Sequence, residues 1–404
     1  MVDLPKEKCS ACGACFNICH KQAIEMIPDT YGYIYPKINI EKCVDCGQCD
    51  NICRPQLHSP ISTFAAKCKD VHIHSTVASG GIATIAANHF IRNKNGIVYG
   101  CAFLNCTEVK HIRVSTIQDV ELLKGSKYVY SSINNIYQSV LHDLRKNCQV
   151  LFIGRPCQIG GLKNFLRKGY DNLTTIDLIC HGVPALGMLQ NEIKEILKDK
   201  FPLQSVRVNF RWKSPHNKFG LQFIVPSRGI VKTIHDPYSS YMAAFFSGLS
   251  YRENCHYCSY AQKARIGDLT IGDFWGLGKL VPSKMDPNNG ISLILVNTIK
   301  GQMLMTELTN DLILEKRDFS EAEAGNWNLH APSPRPANKD VFYDLYLNRG
   351  LHIATLACYP RFRFEAQLHI KLIRTIIKTI AQIPIIGTIG RTTKKILCFL
   401  KFKS

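Results

Sequence analysis

Residues 9–19 read Cys-Ser-Ala-Cys-Gly-Ala-Cys-Phe-Asn-Ile-Cys, and residues 43–53 repeat the cysteine spacing as Cys-Val-Asp-Cys-Gly-Gln-Cys-Asp-Asn-Ile-Cys. The spacing C-x2-C-x2-C-x3-C lets three thiolates from one tight loop reach three corners of a cubane iron–sulfur cluster. In proteins with two such runs, the fourth cysteine of each run ligates the other cluster. The sequence therefore predicts two 4Fe-4S clusters, one held by Cys9, Cys12, Cys15 and Cys53 and the other by Cys43, Cys46, Cys49 and Cys19.

A pair of zinc sites is the alternative explanation for cysteines this close together. Zinc is usually held by four tetrahedral ligands arranged as two separated pairs, and a duplicated triple run fits that arrangement poorly. In ferredoxin-type runs the residue after the fourth cysteine is commonly proline, whereas here it is His20 and Arg54. This departure leaves the ligands themselves unchanged.

The cysteine usage and the N-terminus together indicate a cytoplasmic protein. Clustered thiols at this spacing are typical of metal ligands in a reducing compartment. Residues 1–8 lack the apolar region of a secretory signal, and no stretch approaches 18 uncharged apolar residues. We therefore expect neither export nor a membrane-spanning helix.

The charge is strongly positive and unevenly distributed. The chain carries a formal net charge of +19, yet residues 1–60 hold six Lys or Arg against seven Asp or Glu, and residues 361–404 hold ten against one. Within 368–383, Leu372 and Ile376 fall on an apolar helical stripe and Lys371 lies off it. Such a helix can lie at the inner face of the cell membrane, or it can pack on the main domain with its basic face in solvent.

From about residue 64 the pattern changes to apolar strands that alternate with amphipathic helices. Residues 96–103, 149–154 and 173–179 have the pattern of strands, and residues 136–145 and 186–198 that of helices. This alternation is typical of an α/β domain with parallel neighbouring strands. We expect an N-terminal α+β module of the bacterial ferredoxin type, followed by a large α/β domain with a mixed, partly parallel sheet.

The predicted division of the chain follows these changes in pattern. Its parts are a two-cluster ferredoxin domain over 1–60, the two parts of a reductase domain over 61–150 and 151–330, and a basic amphipathic extension over 331–404.

Four further cysteines form a candidate third site. Cys157 follows one predicted strand and Cys180 ends the next, so parallel pairing would bring both thiols to the carboxyl edge of the sheet, where such sheets bind ligands. Cys255 and Cys258 add a C-x2-C pair, which completes a ligand set for a third 4Fe-4S cluster. Two alternatives are a buried strand cysteine at Cys180 and a reactive thiol at a helix N-terminus at Cys157.

Two segments have residues suited to a phosphate-bearing cofactor. Small residues at 79–81 open a predicted helix and can expose backbone N–H groups to a phosphate, although Ser79 has the alternative role of an ordinary helix cap. Residues 124–128 read Lys-Gly-Ser-Lys-Tyr and offer a cation and an aromatic ring to a dinucleotide.

Five segments together resemble the coenzyme F-420 (8-hydroxy-5-deazaflavin) hydrogenase/dehydrogenase beta-subunit family. They begin at Ser79, Lys124, Gly154, Asp177 and Gly267, and with the cysteine runs they cover about residues 5–330 in the order of that family. The resemblance implies a flavin, normally FAD, beside an iron–sulfur cluster. It also implies flavin contacts from Ser79, Gly80, Gly81, Gly125, Ser126, Lys127 and Tyr128.

The resemblance does not carry over a substrate, because members range from deazaflavin reduction to chlorophyll-pathway reduction. Versions with a fused ferredoxin module resemble bacterial proteins associated with surface-polysaccharide synthesis. At Arg155 many relatives have a small residue, so the surroundings of Cys157 are expected to differ here.

Three functions fit the sequence. The first is a flavin-dependent iron–sulfur oxidoreductase that passes electrons from a ferredoxin-like donor or acceptor protein to a small organic substrate. The second is an electron-transfer subunit whose partner chain carries the catalytic site. The third, a cluster-containing nucleic-acid binder, is suggested only by the net charge of +19 and lacks any recognition module or aromatic-basic stripe, so no nucleic acid is expected.

Overall fold

The structure is a computed structural model that describes residues 4–50, 52, 57–213, 217–236 and 238–359. Two features of the sequence fall outside these residues. One is Cys53, the predicted fourth cysteine of the second run, and the other is the predicted amphipathic helix at 368–383.

Thirteen strands are formed by the described part of the chain, in three sheets. In chain order they are β1 (Ile24–Pro28), β2 (Ile34–Ile38), β3 (Ser62–Cys68), β4 (Ile97–Asn105), β5 (Glu108–Val114), β6 (Val150–Gly154), β7 (Leu173–Leu178), β8 (Arg207–Lys213), β9 (Asn217–Val225), β10 (Gly229–His235), β11 (Leu269–Asp273), β12 (Ser292–Val296) and β13 (Leu312–Arg317).

The same residues form eleven α-helices. They are α1 (Ala14–Ile18), α2 (Val71–Thr76), α3 (Ile82–Lys94), α4 (Ile117–Val120), α5 (Ile136–Arg145), α6 (Pro156–Leu166), α7 (Leu186–Leu197), α8 (Ser240–Phe246), α9 (Ile299–Leu308), α10 (Phe319–Gly325) and α11 (Lys339–Cys358).

The large sheet has eight strands in the order β13-β3-β12-β11-β7-β6-β4-β5. Its four central strands, β11, β7, β6 and β4, run parallel, and the outer pairs are antiparallel. Central strands are nearly continuous apolar runs, as in Val150–Gly154, because helices cover both faces of a parallel sheet. The predicted mixed, partly parallel sheet is confirmed, and its central carboxyl ends share one edge.

Proline and glycine residues set the start of two helices. Helix α6 begins at Pro156, because a proline at the first position is already in the helical conformation. The side chain of Gln158 accepts a hydrogen bond from the N–H of Arg155 (3.1 Å) and strengthens this start. Helix α3 begins at Ile82 with Gly81 as its N-cap, so the Ser79 hydroxyl is not the cap.

One of the two smaller sheets precedes the main sheet in sequence, and the other is inserted between its strands β7 and β11. Strands β1 and β2 form an antiparallel pair in the N-terminal region, and β8, β9 and β10 form a three-stranded antiparallel sheet. Helix α11 contacts α7 and α8 and buries Phe342 and Leu351 in the core that they share. None of the helices in the described residues has the length and apolar character needed to cross a membrane. The division of the chain into these four parts stays a prediction.

Tyrosines of the large domain hold the first cysteine run in place. The hydroxyl of Tyr137 donates to the carbonyl of Cys12 (2.7 Å), and that of Tyr130 donates to the carbonyl of Ala11 (3.1 Å). Gly161 of α6 lies so close that an added Cβ would stand 3.0 Å from the Sγ atom of Cys12. The first run is therefore packed directly on the helix that begins beside Cys157.

Gly80 is required by backbone packing. A Cβ at this position would lie 2.2 Å from the carbonyl oxygen of Ala66 in β3 and 2.8 Å from the hydroxyl of Ser292 in β12. The N–H of Gly80 also donates to that hydroxyl (3.0 Å), and its carbonyl accepts from the N–H of Cys68 (2.7 Å). The loop before α3 can approach the sheet only because residue 80 has no side chain.

We expect Gly80→Ala to lower the free energy of unfolding by about 3 kcal/mol, the upper end of the usual cost of overpacking, because the clash is with backbone. Urea denaturation followed by circular dichroism measures the change. The matched control is Gly187→Ala in α7, where an added Cβ meets nothing within 4 Å. This control should be neutral or stabilising by about 0.5–1 kcal/mol. Equal stability of the two variants would contradict the packing argument.

Candidate functional site

The first cysteine run lies at the junction with the large domain. Cys9 and Cys15 are buried and Cys12 is half-buried. Ala11 and Gly13 have positive φ angles of 51° and 79°, which turn the loop tightly before α1 begins. A tight loop of this kind directs closely spaced thiols to one point, as ligation of a single cluster requires.

The second run forms a separate cavity at the protein surface. Cys43, Cys46 and Cys49 line a space of ≈ 430 Å³, and Cys19 from the first run lines the same space. Cys46 is exposed to solvent. The structure thus brings together the four cysteines that crossed ligation assigns to one cluster. Of the other predicted set, the structure describes Cys9, Cys12 and Cys15 but not Cys53.

The four remaining predicted ligands surround an inner cavity of ≈ 480 Å³. Cys157 is the second residue of α6, Cys180 follows β7 by two residues, and the turn at Glu253–Tyr257 brings Cys255 and Cys258 to the same space. The adjacent, parallel β6 and β7 place the first two thiols at one sheet edge. All four cysteines are free thiols.

Two thiols of this cavity have strongly raised pKa values. Desolvation raises the pKa of Cys180 to about 12, and Cys255 and Cys157 contribute to the rise. Desolvation likewise raises the pKa of Cys258 to about 12, with added repulsion from Cys157 and Cys255. Thiols in such a setting are protonated until a metal centre compensates the charge of the thiolates.

Three arginines line the same cavity and supply positive charge. Arg265 pairs with Asp177 (3.1 Å), and both side chains are at most 1% exposed. Arg155 and Arg252 are buried too, and neither the Nε atom of the former nor the Nη1 atom of the latter has an acceptor among the described residues. Buried N–H groups without acceptors are costly. An anionic thiolate-ligated cluster would provide acceptors and offset the charge, so these residues fit such a group.

The geometry of the thiols differs from that of a single-ion site. Among the described residues, no three His, Cys, Asp or Glu side chains converge closely enough to hold one metal ion. A cubane takes one thiolate at each of its four irons, and its ligands therefore surround a volume instead of meeting at a point.

The two predicted flavin segments come together beside β8. The ammonium of Lys213 donates to the carbonyls of Ser79 (2.8 Å) and His74 (2.6 Å). The ammonium of Lys124, the first residue of the second segment, donates to the hydroxyl of Thr76 (3.2 Å). Segments that are more than 40 residues apart in sequence thus border one region.

Within these segments the residues have different surroundings. Lys127 donates to the carbonyls of Leu123 (2.6 Å) and Lys124 (2.8 Å), and burial lowers its pKa to about 8. Tyr128 packs against Phe245, with ring centroids 4.8 Å apart. The hydroxyl of Ser79 is buried and has no hydrogen-bond partner among the described residues.

The predicted flavin residues therefore differ in what they offer a cofactor. The Ser79 hydroxyl has no partner among the described residues, and Gly80 is explained by packing. The ammonium of Lys127 binds two carbonyls, as that of Lys213 does, which leaves each of them one N–H donor for a ligand. Gly81 is required as the left-handed N-cap of α3 (φ 88°). Gly125, with a positive φ of 80°, and Ser126 lie in the half-buried stretch before Tyr128.

Sequence reasoning missed Lys213 and Arg211. Arg211 donates to the carboxylate of Asp273 (2.6 Å), and its guanidinium lies 4.5 Å from the ring centroid of Phe219. Its Nε and Nη2 atoms are buried without an acceptor among the described residues. Two cations, one of them with orphaned donors, suit a phosphate group. The Arg-x-Lys spacing was the available indication, because alternate residues of a strand share a face.

His181 connects the inner cavity to this basic region. It lines the cavity next to Cys180. Partial desolvation lowers the pKa of His181, and the carboxylate of Asp273, the partner of Arg211, opposes part of that shift. The two candidate sites are therefore neighbours.

The fold and the thiol sites define an iron–sulfur protein with a large mixed α/β sheet. Residues 8–56 match the family described as 4Fe-4S dicluster domain. Residues 147–322 match the family described as the C terminus of the beta subunit of coenzyme F420 hydrogenase/dehydrogenase. The two matches together indicate an iron–sulfur, electron-transfer oxidoreductase-like chain, as the resemblance of its motifs predicted.

Among the solved structures similar to this chain is one from the F420-reducing NiFe hydrogenase complex of Methanosarcina barkeri, studied by xenon derivatization. It shares 16% sequence identity, with a TM-score of 0.46, over 72% of this chain and 94% of that chain. No curated protein matches this chain.

We expect Cys180→Ala to reduce the iron content of anaerobically purified protein from about twelve to about eight per chain, because one 4Fe-4S cluster loses a ligand. Iron and acid-labile sulfide are measured together. Cys148→Ala is the control, since Cys148 packs beside the core below α5 and lines neither thiol cavity. Twelve irons in the Cys180 variant, or eight in the unaltered protein, would contradict a third cluster.

Proposed function

We propose that this chain is a flavin-dependent iron–sulfur oxidoreductase. Electrons from a ferredoxin-type carrier pass through three 4Fe-4S clusters and an FAD to a small organic substrate. The observation that carries the proposal is the inner cavity itself, whose four thiols are accompanied by buried arginine donors without acceptors among the described residues.

The positions of the three thiol groups support an order of electron transfer. The cavity of the second run lies at the surface, with Cys46 exposed. The first run lies between that cavity and α6, and the hydroxyl of Tyr137 lies 2.7 Å from the carbonyl oxygens of both Cys12 and Gln158, so that it can donate to either. We therefore assign electron entry to the second run's cluster, transfer to the first run's cluster, and arrival at the inner cluster.

Residues in β8 and next to it suit the binding of a flavin dinucleotide. Lys213 and Arg211 would hold its phosphates, and the Ser79 hydroxyl would donate to it. A bound flavin supplies the exchange between one-electron transfer with clusters and two-electron transfer with an organic molecule. Phe246 and Trp275 remain 46% and 43% exposed, and both rings flank that of Phe219 at centroid distances of 5.8 and 6.1 Å. This aromatic surface suits a planar substrate or the ring of the cofactor.

The family that residues 147–322 match is described as that of a beta subunit, and this favours a second candidate function. In that case the chain transfers electrons to a partner that carries the catalytic site. The resemblance of the motifs also leads us to propose a role in surface-polysaccharide biosynthesis. The ten basic residues of 361–404 support contact with the inner face of the cell membrane.

Flavin binding tests the leading proposal. We expect the unaltered protein to copurify with one flavin per chain, and Lys213→Gln to bind it about 10- to 100-fold more weakly. A lost charge-assisted hydrogen bond costs about 1.5–3 kcal/mol. Fluorescence of the flavin released on denaturation and titration of the apoprotein measure both quantities. The iron content should not change.

The matched control is Lys300→Gln. The ammonium of Lys300 also donates to two backbone carbonyls, those of Tyr170 (2.9 Å) and Leu173 (2.8 Å), but lies away from β8. This variant should bind flavin normally. Three clusters without any flavin would favour the electron-transfer subunit, and equal flavin loss in both variants would mean that the effect is on stability alone.

Electron entry at the second run predicts where the carrier protein docks. Two apolar side chains flank the exposed loop, Ile40 at 77% and Val44 at 57% exposure, with Glu41, Lys42 and Asp45 around them. Apolar centres with polar rims are typical of transient interfaces. We infer that a small ferredoxin-like protein binds this face.

We expect Ile40→Asp to slow reduction of the clusters by reduced ferredoxin at least tenfold, while reduction by dithionite, which needs no docking, stays unchanged. Stopped-flow absorbance measures both rates. Ile299→Asp is the control, because Ile299 is similarly exposed (66%) at the first turn of α9, where an acidic residue is tolerated. Equal rates for Ile40→Asp and Ile299→Asp would show that the carrier docks elsewhere.

A further inference from the structure

Arg252 lies between the first cysteine run and the inner cavity. Its side chain is among the largest that are fully buried, with 1% exposure. The Nε atom donates to the carbonyl of Cys9 (2.9 Å), and the Nη2 atom donates to the carbonyl of Ile34 (2.7 Å). The guanidinium also lies 4.0 Å from the ring centroid of Tyr35. Three sides of this group are thus fixed by the N-terminal region.

The fourth side of Arg252 faces the inner cavity. Arg252 lines that cavity, and its Nη1 atom is buried without an acceptor among the described residues. Its backbone belongs to the turn that carries Cys255, whose N–H donates to the carbonyl of Arg252 (3.0 Å). The N–H of Arg252 in turn donates to the carbonyl of Val183 (3.0 Å), close to Cys180. One residue therefore holds parts of two predicted cluster sites.

Arg252 differs from Arg265 in having no carboxylate partner among the described residues. Arg265 has the buried carboxylate of Asp177 at 3.1 Å, whereas none of the ion pairs between described residues includes Arg252. A buried charge without a counter-ion exerts a strong field, because the protein interior screens it far less than water does. Hydrogen bonds and net charge near a cluster are among the main determinants of its reduction potential.

We propose that Arg252 is a positioning residue for electron transfer between the first run's cluster and the inner cluster. This inference rests on the proposed function. In this step one electron would pass from the first cluster to the inner cluster. The first cluster would be oxidised by one electron and the inner cluster reduced by one electron. No bond changes. Arg252 fixes the spacing of the two sites, and its positive charge favours the reduced state of both clusters.

The charge is tested with Arg252→Gln in the full, cluster-loaded chain. Redox titration followed by electron paramagnetic resonance should show both clusters at least tenfold harder to reduce at a fixed potential, which is a shift of about 59 mV for a one-electron couple. The second run's cluster should change less, because it lies at the surface. The control is Arg335→Gln, whose charge is already offset by Glu253 (2.7 Å) and Asp340 and screened by solvent. It should leave the potentials within threefold.

The positioning is tested separately with Arg252→Lys, which keeps the charge but replaces the two separate guanidinium nitrogens that bind the carbonyls of Cys9 and Ile34 with a single ammonium nitrogen. We expect near-normal potentials and weaker magnetic coupling between the two reduced clusters. Arg252→Lys therefore tests the positioning role of Arg252 even if Arg252→Gln fails to fold.

Three outcomes would overturn the inference. They are unchanged potentials in an iron-loaded Arg252→Gln protein, wild-type coupling in Arg252→Lys, and equal shifts in Arg252→Gln and Arg335→Gln. Each is distinct from failure of the proposed function, which would appear in the unaltered protein as a missing third cluster or a missing flavin.

Discussion

Four thiols and three guanidinium groups surround one buried volume, and the arrangement of the large domain depends on compensating their charges. Without a bound group Cys180 and Cys258 stay protonated, since desolvation and repulsion from neighbouring thiols raise the pKa of each to about 12. The orphaned donors of Arg155 and Arg252 meanwhile carry a desolvation cost. An anionic cluster relieves both penalties at once. Cluster loading and the stability of this part of the fold should therefore be coupled, as they are at structural metal sites generally.

The buried pair of Asp177 and Arg265 explains how the sheet keeps this volume in shape. Asp177 lies near the end of β7 and also accepts from the N–H groups of Ile266 (3.2 Å) and Gly267 (2.8 Å), just before β11. The pair thus fixes the parallel register of β7 and β11 at the edge where Cys180 stands. The Arg265 guanidinium in turn donates to the carbonyl of Tyr260 (2.8 Å), which follows Cys258 by two residues. The same contacts therefore fix the pairing of β7 with β11 and hold the cysteine ligands Cys180 and Cys258 in place.

The sequence predicted those parts of the site that depend on local spacing or on strand order. The cysteine runs indicated two clusters, and the apolar strands before Cys157 and Cys180 indicated that both thiols reach one edge. Arg211 and Lys213 escaped notice because β8 belongs to a separate sheet, and only tertiary folding brings it to the Ser79 loop. Gly80 is the opposite case, because the sequence suggested a ligand contact at a residue that backbone packing also explains. It fitted a phosphate-binding motif, yet the carbonyl of Ala66 already accounts for it.

The three arginines of the inner cavity show why residue type alone could not assign their roles. Arg265 is neutralised by Asp177 and acts on the fold, whereas Arg155 lies 5.2 Å from the ring centroid of Tyr130 and orders the start of α6. Arg252 reaches Cys9 across 243 positions of sequence, a contact that no local pattern encodes. Because it alone of the three donates to the first cysteine run and faces the inner thiols, its charge acts on both sites. The difference between these arginines lies in their partners, and those partners are set by tertiary structure.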